Sequence, residues 1–336
     1  MRPVPPVDPV VRLEIHDRLG LRRQLPEQAR AYGRRYGFGV TADPEAGEGF
    51  RHYFLVWDDP LEPARLDAIA DGLGTAYDTA SVAFAYPDAE ASAAAVPHID
   101  AVKAATENRL NVIRPDRHDE HGVYVSAFKL LETMVAETVR IKYRPRKASN
   151  ELPGAFRRQV LPFFVEAARR FSDNRLWHRG RSDGCIAVRW GDGLAITATR
   201  TSKAPLEPDR IVLVHEYDEA TNTVTYSGPA LPSADSVELM VLAREVPELR
   251  AFTHTHASEL ITRNPRFEAG VRIGARPYGE PTVGHELADL LRDRSHEVVV
   301  IEGHGEIFSS TSDGVDYFRW IDHVCATARD TLGGLR

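Results

Sequence analysis

Cysteine is nearly absent from this 336-residue sequence. Cys185 and Cys325 stand far apart and form no Cys-x-x-Cys pair, which excludes a disulfide framework and a cysteine-rich zinc site and fits a reducing cytoplasm. No apolar run approaches the ~20 residues that span a bilayer. The opening Met1-Arg2-Pro3-Val4-Pro5-Pro6 also lacks the apolar stretch of a secretory leader, so a cytoplasmic location without membrane insertion is expected. Positive charge is not in excess: 42 Lys and Arg against 49 Asp and Glu leave a net charge of −7, with no electrostatic footprint for nucleic acid. Internal repeats and low-complexity tracts are missing as well. What is present is the composition of a folded protein, 43% hydrophobic and 27% charged. At roughly 100–200 residues per domain, the length predicts two domains.

Residues 1–50 are punctuated by Pro and Gly and read as a solvated, partly helical lead-in, with Arg30, Arg34 and Arg35 among Tyr32, Tyr36 and Phe38. His52–Trp57 is a β-rich run closed by Asp58-Asp59-Pro60, and Leu61–Leu73 has helical spacing stopped by Gly72 and Gly74. Ser81–Tyr86 reads as a second strand before an Ala-rich, helix-like stretch near 89–95. This half contains no phosphate loop, metal spacing or nucleophile motif, so an α+β domain of unassigned function is expected over residues 1–150. Its one polar cluster, His118-Asp119-Glu120-His121, lies between turn signals and reads as a surface loop. The basic run Arg140–Lys147 and the breaker-rich Ser149–Gly154 read as a linker, placing the second domain at 151–336.

The second half is more regular. Phe163–Phe171 has helical spacing; 185–190, 194–199, 210–215, 223–226, 250–256 and 297–301 read as strands. Helices are expected from Asp235, with Ser233 as its N-cap, and after Gly314. Strands with helices at intervals make this domain α/β or α+β.

Chemistry concentrates on histidine. On a strand, the period of two turns His254 and His256 to one face, where they could hold one metal ion or form a hydrogen-bonded structural pair. His304 lies between Gly303 and Gly305 just beyond a predicted strand, where its side chain can turn into a cleft as a third ligand. Asp235 opens a helix, where exposed N–H groups favour a carboxylate, for capping or for chemistry. Arg200 and Lys203 offer charge to a phosphate or carboxylate.

Over about residues 155–330 the sequence resembles the class II aldolase/adducin family, which includes fuculose-phosphate and rhamnulose-phosphate aldolases and ribulose-phosphate 4-epimerase. Pro232-Ser233-Ala234-Asp235 is similar to the family's Pro-Ser-Ser-Glu/Asp segment, Thr253–Ala257 to its strand with two ligands, and Gly303-His304-Gly305 to its His-Gly segment with the third. Pro277-Tyr278-Gly279 and Gly284–Leu287 resemble the stretch between. Gly184–Arg189 is similar to a Gly-Asn-x-Ser-x-Arg segment, and Ile196–Arg200 to a strand entering a Thr/Ser-Gly turn. Departures fall around the family's phosphate: Cys185 replaces Asn, Ala187 and Ala234 each replace Ser, and Arg200 replaces Gly.

The resemblance implies a central, largely antiparallel sheet flanked by helices and a divalent ion, zinc in first place with manganese, cobalt or iron as alternatives, on His254, His256 and His304. Asp235 becomes the proton-transfer group, either free of the ion or as its fourth ligand, and Gly184, Thr199, Arg200, Lys203 and Ser233 the substrate contacts. Tyr278 is a possible proton donor, with a structural role the expected one. The implied activity is a metal-dependent lyase of carbohydrate metabolism, an aldolase cleaving or forming a carbon–carbon bond in a small hydroxy-carbonyl compound through a metal-stabilised enediolate. Epimerase, dehydratase or decarboxylase chemistry at the same site, or a noncatalytic adducin-like interaction role, are the alternatives. A homo-oligomer is expected, a tetramer by resemblance, with no partner beyond a small-molecule substrate.

Overall fold

In the computed structural model, the described residues are 10–16, 23–42, 52–57, 62–84, 94–95, 97–99, 101–102, 105–106, 109–113, 120–174, 176–177, 184–256, 261, 264, 267 and 270–333. The chain divides into two compact units, Met1–Arg140 and Ile141–Arg336. None of the described helices is long and apolar enough to cross a membrane.

The first unit runs β1 (Val10–His16), α1 (Leu25–Tyr36), β2 (Gly39–Thr41), β3 (His52–Trp57), α2 (Pro63–Asp71), β4 (Thr79–Phe84), β5 (Leu110–Ile113) and α3 (Glu120–Thr138). Its five strands lie in the order β2-β1-β3-β4-β5. Every pairing is parallel, so the strand–helix alternation expected as α+β is of the parallel α/β kind. On one face Tyr53, Leu55, Ala80, Val82 and Leu110 pack under Leu66 and Ile69 of α2. On the other, Asn111 reaches Glu137 of α3, against which α1 packs. The lead-in expected over residues 1–50 therefore contributes two strands and a helix: Val10–His16 buries Val11 and Leu13 around the more exposed Arg12 and Glu14. Most of the Ala-rich stretch near 89–95 lies outside the described residues, as do His118 and Asp119 and the side chains of Glu120 and His121.

The second unit begins before the expected boundary at 150/151. Its first strand, β6 (Arg144–Ser149), is formed by the basic run and pairs parallel with β10 (Thr223–Ser227) at the edge of the sheet. All six residues are exposed. Proline and repeated positive charge suit an edge, where Pro145 lacks a ladder donor and charge discourages pairing with another chain.

The remaining elements are α4 (Phe156–Asp173), β7 (Cys185–Trp190), β8 (Gly193–Thr197), β9 (Ile211–Asp218), α5 (Ser236–Glu245), β11 (Ala251–Thr255), β12 (Arg272–Ile273), α6 (Pro281–Leu291), β13 (His296–Ile301), β14 (Gly305–Ser310) and α7 (Val315–Gly333). Nine strands lie in the order β12-β13-β14-β11-β7-β8-β9-β10-β6, antiparallel except for the terminal pairs at each edge. Alternation divides the side chains between two cores. Ile186, Val188, Ala195 and Phe308 face α4 and α7; Cys185, Ala187, Ile196, Phe252 and Ile307 face α5 and α6. The result is a helix–sheet–helix sandwich whose central sheet is largely antiparallel.

Candidate metal centre

β11 places His254 next to Cys185 of β7 on one side and Ile307 of β14 on the other. His256 follows just after β11, and His304 occupies the turn between β13 and β14. Strands distant in sequence thus bring the three imidazoles together. His254 Nε2 lies 2.9 Å from His256 Nε2 and 3.0 Å from His304 Nε2. Glycine makes this approach possible. A Cβ on Gly184, whose φ is +60°, would stand 2.0 Å from the His254 carbonyl oxygen, and one on Gly305 would meet the Thr255 carbonyl at 2.0 Å and the His256 ring at 2.8 Å.

The donor set fits a divalent transition-metal ion. His254 Nδ1 lies 2.9 Å from the Glu306 carbonyl oxygen, which can only accept, so Nδ1 carries the proton and Nε2 presents its lone pair to the cluster. One ligand nitrogen from each imidazole lies within 4.8 Å of the others, near enough together for the three to hold a single ion. Among the described residues, these three form the only group of His, Cys, Asp and Glu with this convergence. Asp235 is not in that group.

Asp235 is instead the N-cap residue of α5, two positions after the expected cap, and is 6% exposed. Ser233 donates its hydroxyl to Asp235 Oδ2 at 3.0 Å, so this side chain orients the carboxylate instead of capping the helix. Cys185, standing where the resembled segment has Asn, sits beside the same carboxylate. Burial pushes its thiol pKa well up, and Asp235's charge and hydrogen bond raise it further, leaving a neutral S–H donor.

Lys203 is 2% exposed and donates from Nζ to the Gly184 carbonyl at 2.5 Å. That puts an ammonium beside the glycine that abuts His254. Thr199 binds the scaffold through its backbone, N–H to the Leu231 carbonyl and carbonyl to the Arg210 guanidinium. Arg200 follows with φ +54°, a left-handed backbone that glycine adopts more easily, at the position where the resembled segment has Gly. Tyr278, 6% exposed, sets its ring 6.1 Å from that of His304.

Two residues of this neighbourhood escape the sequence reading. Lys142, from the run read as a linker, lays Nζ 3.9 Å from the Tyr278 ring centroid and donates to the Tyr278 carbonyl at 2.8 Å. Glu238, fully buried one turn after Asp235, accepts the Gly279 N–H at 2.9 Å and fixes the loop that carries Tyr278. A lone acid within Val237–Leu242 was the available signal.

Residues 164–313 match the family model of the class II aldolase and adducin N-terminal domain. The second unit carries a class II aldolase/adducin domain. The aldolase/adducin domain also has likenesses among solved structures. L-fuculose-1-phosphate aldolase from Thermus thermophilus is 16% identical, with 53% of this chain and 94% of that chain covered and a TM-score of 0.41. L-fuculose 1-phosphate aldolase from Glaciozyma antarctica is 15% identical, covering 55% and 78%, with a TM-score of 0.40. YgbL from Escherichia coli is 17% identical, covering 52% and 87%, with a TM-score of 0.40. Comparison with curated proteins returned no match.

Proposed function

We propose that the aldolase/adducin domain is a metal-dependent lyase of the aldolase type, acting on a small hydroxy-carbonyl compound that carries a phosphate or carboxylate. The observation that supports this reading is the convergence of three imidazole nitrogens on one point, with the His254 tautomer fixed by the Glu306 carbonyl. His254, His256 and His304 would hold the ion, zinc in first place and manganese, cobalt or iron as alternatives. When bound, such an ion polarises a substrate carbonyl and offsets the negative charge that develops as the carbon–carbon bond breaks.

The chain's own residues supply the rest. Asp235 takes a proton from the substrate and returns it, its carboxylate aimed by the Ser233 hydroxyl and the Cys185 thiol. Lys203 and Arg200 bind the anionic group by charge, beside the backbone of Gly184 and Thr199. Tyr278 closes the wall next to His304, braced by Lys142 and Glu238. By the same reading the protein assembles as a homo-oligomer, a tetramer, and works in the cytoplasm.

The test combines metal analysis with turnover. Wild-type protein is expected to bind one zinc or manganese ion per chain and to cleave a member of a panel of phosphorylated and carboxylated hydroxy-ketones. His254→Ala should abolish both properties; light scattering reports the assembly. Failure to bind either ion overturns the proposal. Metal binding without turnover of any panel member would move the assignment to an interaction role.

A further inference from the structure

The loop that leads to Asp235 is stitched to the end of β8 by an isolated antiparallel bridge between Ala198 and Pro232. Its bonds run from the Ser233 N–H to the Thr197 carbonyl at 3.2 Å and from the Thr199 N–H to the Leu231 carbonyl at 2.9 Å. In a pair of this kind the flanking residues make the ladder bonds, so the Pro232 carbonyl turns away from β8. It meets Tyr143, whose hydroxyl donates to it at 2.8 Å. Tyr143 is 4% exposed. Burial, and after it the neighbouring Tyr226 and Asp235, hold its phenol well above the ordinary pKa of 10, so the donor stays protonated.

Lys142, one residue earlier, holds a second loop. Besides its contacts with the Tyr278 ring and carbonyl, its ammonium lies 4.0 Å from Glu280, with all but 4% of its side chain buried. The Lys142 carbonyl accepts from the Asn222 side chain and the Arg144 N–H donates to the Asn222 carbonyl at 2.7 Å, so the pair is itself anchored to the turn between β9 and β10. The two loops also touch, since a Cβ on Gly279 would stand 3.2 Å from the Ala234 carbonyl oxygen. We propose that Lys142 and Tyr143 form a clamp that sets the Asp235 and Tyr278 loops against the histidine centre, which makes both of them positioning residues of the reaction. The clamp rests on the lyase reading for its purpose and on separate contacts for its existence. Proton transfer needs Asp235 within hydrogen-bond reach of the substrate, and a misplacement of ~1 Å in such a group costs about 10²-fold in rate.

Hydrogen exchange in the full-length, zinc-supplemented protein, read by mass spectrometry, tests the contacts without a substrate. Tyr143→Phe removes only the hydroxyl and should speed exchange over 233–239 about tenfold, leaving β11 unchanged. Lys142→Met should speed exchange over 278–280, and Lys142→Arg, which keeps a charged donor, should restore it. On the panel member that wild type cleaves, Tyr143→Phe should lower kcat about tenfold with KM within about twofold, and zinc bound per chain should stay the same. Unchanged exchange in either loop overturns the proposal, as does a rise spread equally over β11, or a kcat equal to that of wild type. A wild type that cleaves no panel member fails the lyase reading alone, and the exchange result then decides the clamp.

Discussion

On one face of the nine-stranded sheet, α4 and α7 press Phe156, Phe163, Phe164, Phe171, Tyr317 and Phe318 onto Ile186, Val188 and Phe308. Rings meet edge-on, as Phe171 and Phe308 do at 5.1 Å. On the other face, α5 and α6 bury Asp235, Ser236, Glu238 and His254 at comparable depth among Val237, Leu239 and Phe252. The same strands serve both faces, since Thr253 and His254 are neighbours. Even the polar Thr253 on the aromatic side is satisfied, bonded to Tyr317 at 2.7 Å. Buried carboxylates and imidazoles are costly to desolvate, whereas buried rings repay desolvation directly. Both faces carry an apolar core, and the proposed chemistry would draw on the polar groups that only the α5–α6 face buries together.

The largest effect should come from the aromatic face. Phe164→Ala removes a fully buried ring and is expected to cost ~3–5 kcal/mol in denaturant unfolding, while metal bound per folded chain stays constant. Asp235→Asn nearly preserves shape and should show the opposite pattern: unfolding within ~1 kcal/mol of wild type, turnover lower by about 10²–10⁴-fold. If both variants lose stability and activity in the same proportion, the two faces are not functionally distinct.

How much of this was legible in the sequence depends on range. His254 and His256 could be placed on one face because alternation along a strand is local, and His304 stood out between two glycines. Their convergence required β11 and β13 both to lie beside β14, a pairing no local pattern encodes. Lys142 was lost because a run of positive charge reads as solvated, yet the strand it leads into turns that side chain under Tyr278. In the first unit Val10–Ile15 carries a strand's alternation, but the surrounding prolines and glycines outweighed it. Parallel pairing there is likewise long-range, fixed by crossovers and not by neighbours.

A finer probe is Arg200, where an arginine carries a backbone that glycine adopts more easily. The left-handed φ of +54° costs an L-residue ~1–2 kcal/mol. Arg200→Gly removes that strain but admits more freedom to the unfolded chain, ~0.5–1 kcal/mol in the other direction. A net gain of ~0.5–1 kcal/mol in unfolding free energy is expected. If Arg200 also binds the anionic group, KM should rise in the same variant. A gain in stability with unchanged KM would leave Arg200 a tolerated substitution and nothing more.

The smallest effect lies on the exposed rim of the chemical face, where polar groups are wet. His285 of α6 bridges Glu245, 2.6 Å from Nδ1, and Glu219, 3.1 Å from Nε2, with Arg244 also 3.4 Å from Glu219. Hydrogen bonding to Glu219 raises the His285 pKa above its ordinary 6.5, with Glu245 adding to it. The bond to His285 in turn lowers Glu219 below 4.5. The raised histidine stabilises the fold fully below pH 6.5 and loses that contribution as pH climbs through its folded value. The lowered carboxylate stabilises above pH 4.5 and loses its contribution as pH falls through its own. Both are present between those limits, so the stability difference between wild type and His285→Gln should be greatest near pH 5.5, below ~1 kcal/mol because the pair is solvent-screened. It should fade toward pH 8.5 and shrink in high salt. Urea unfolding at the two pH values decides: a difference that does not change with pH means the bridge acts through neutral hydrogen bonds, and the rim then belongs with the packed layers beneath it.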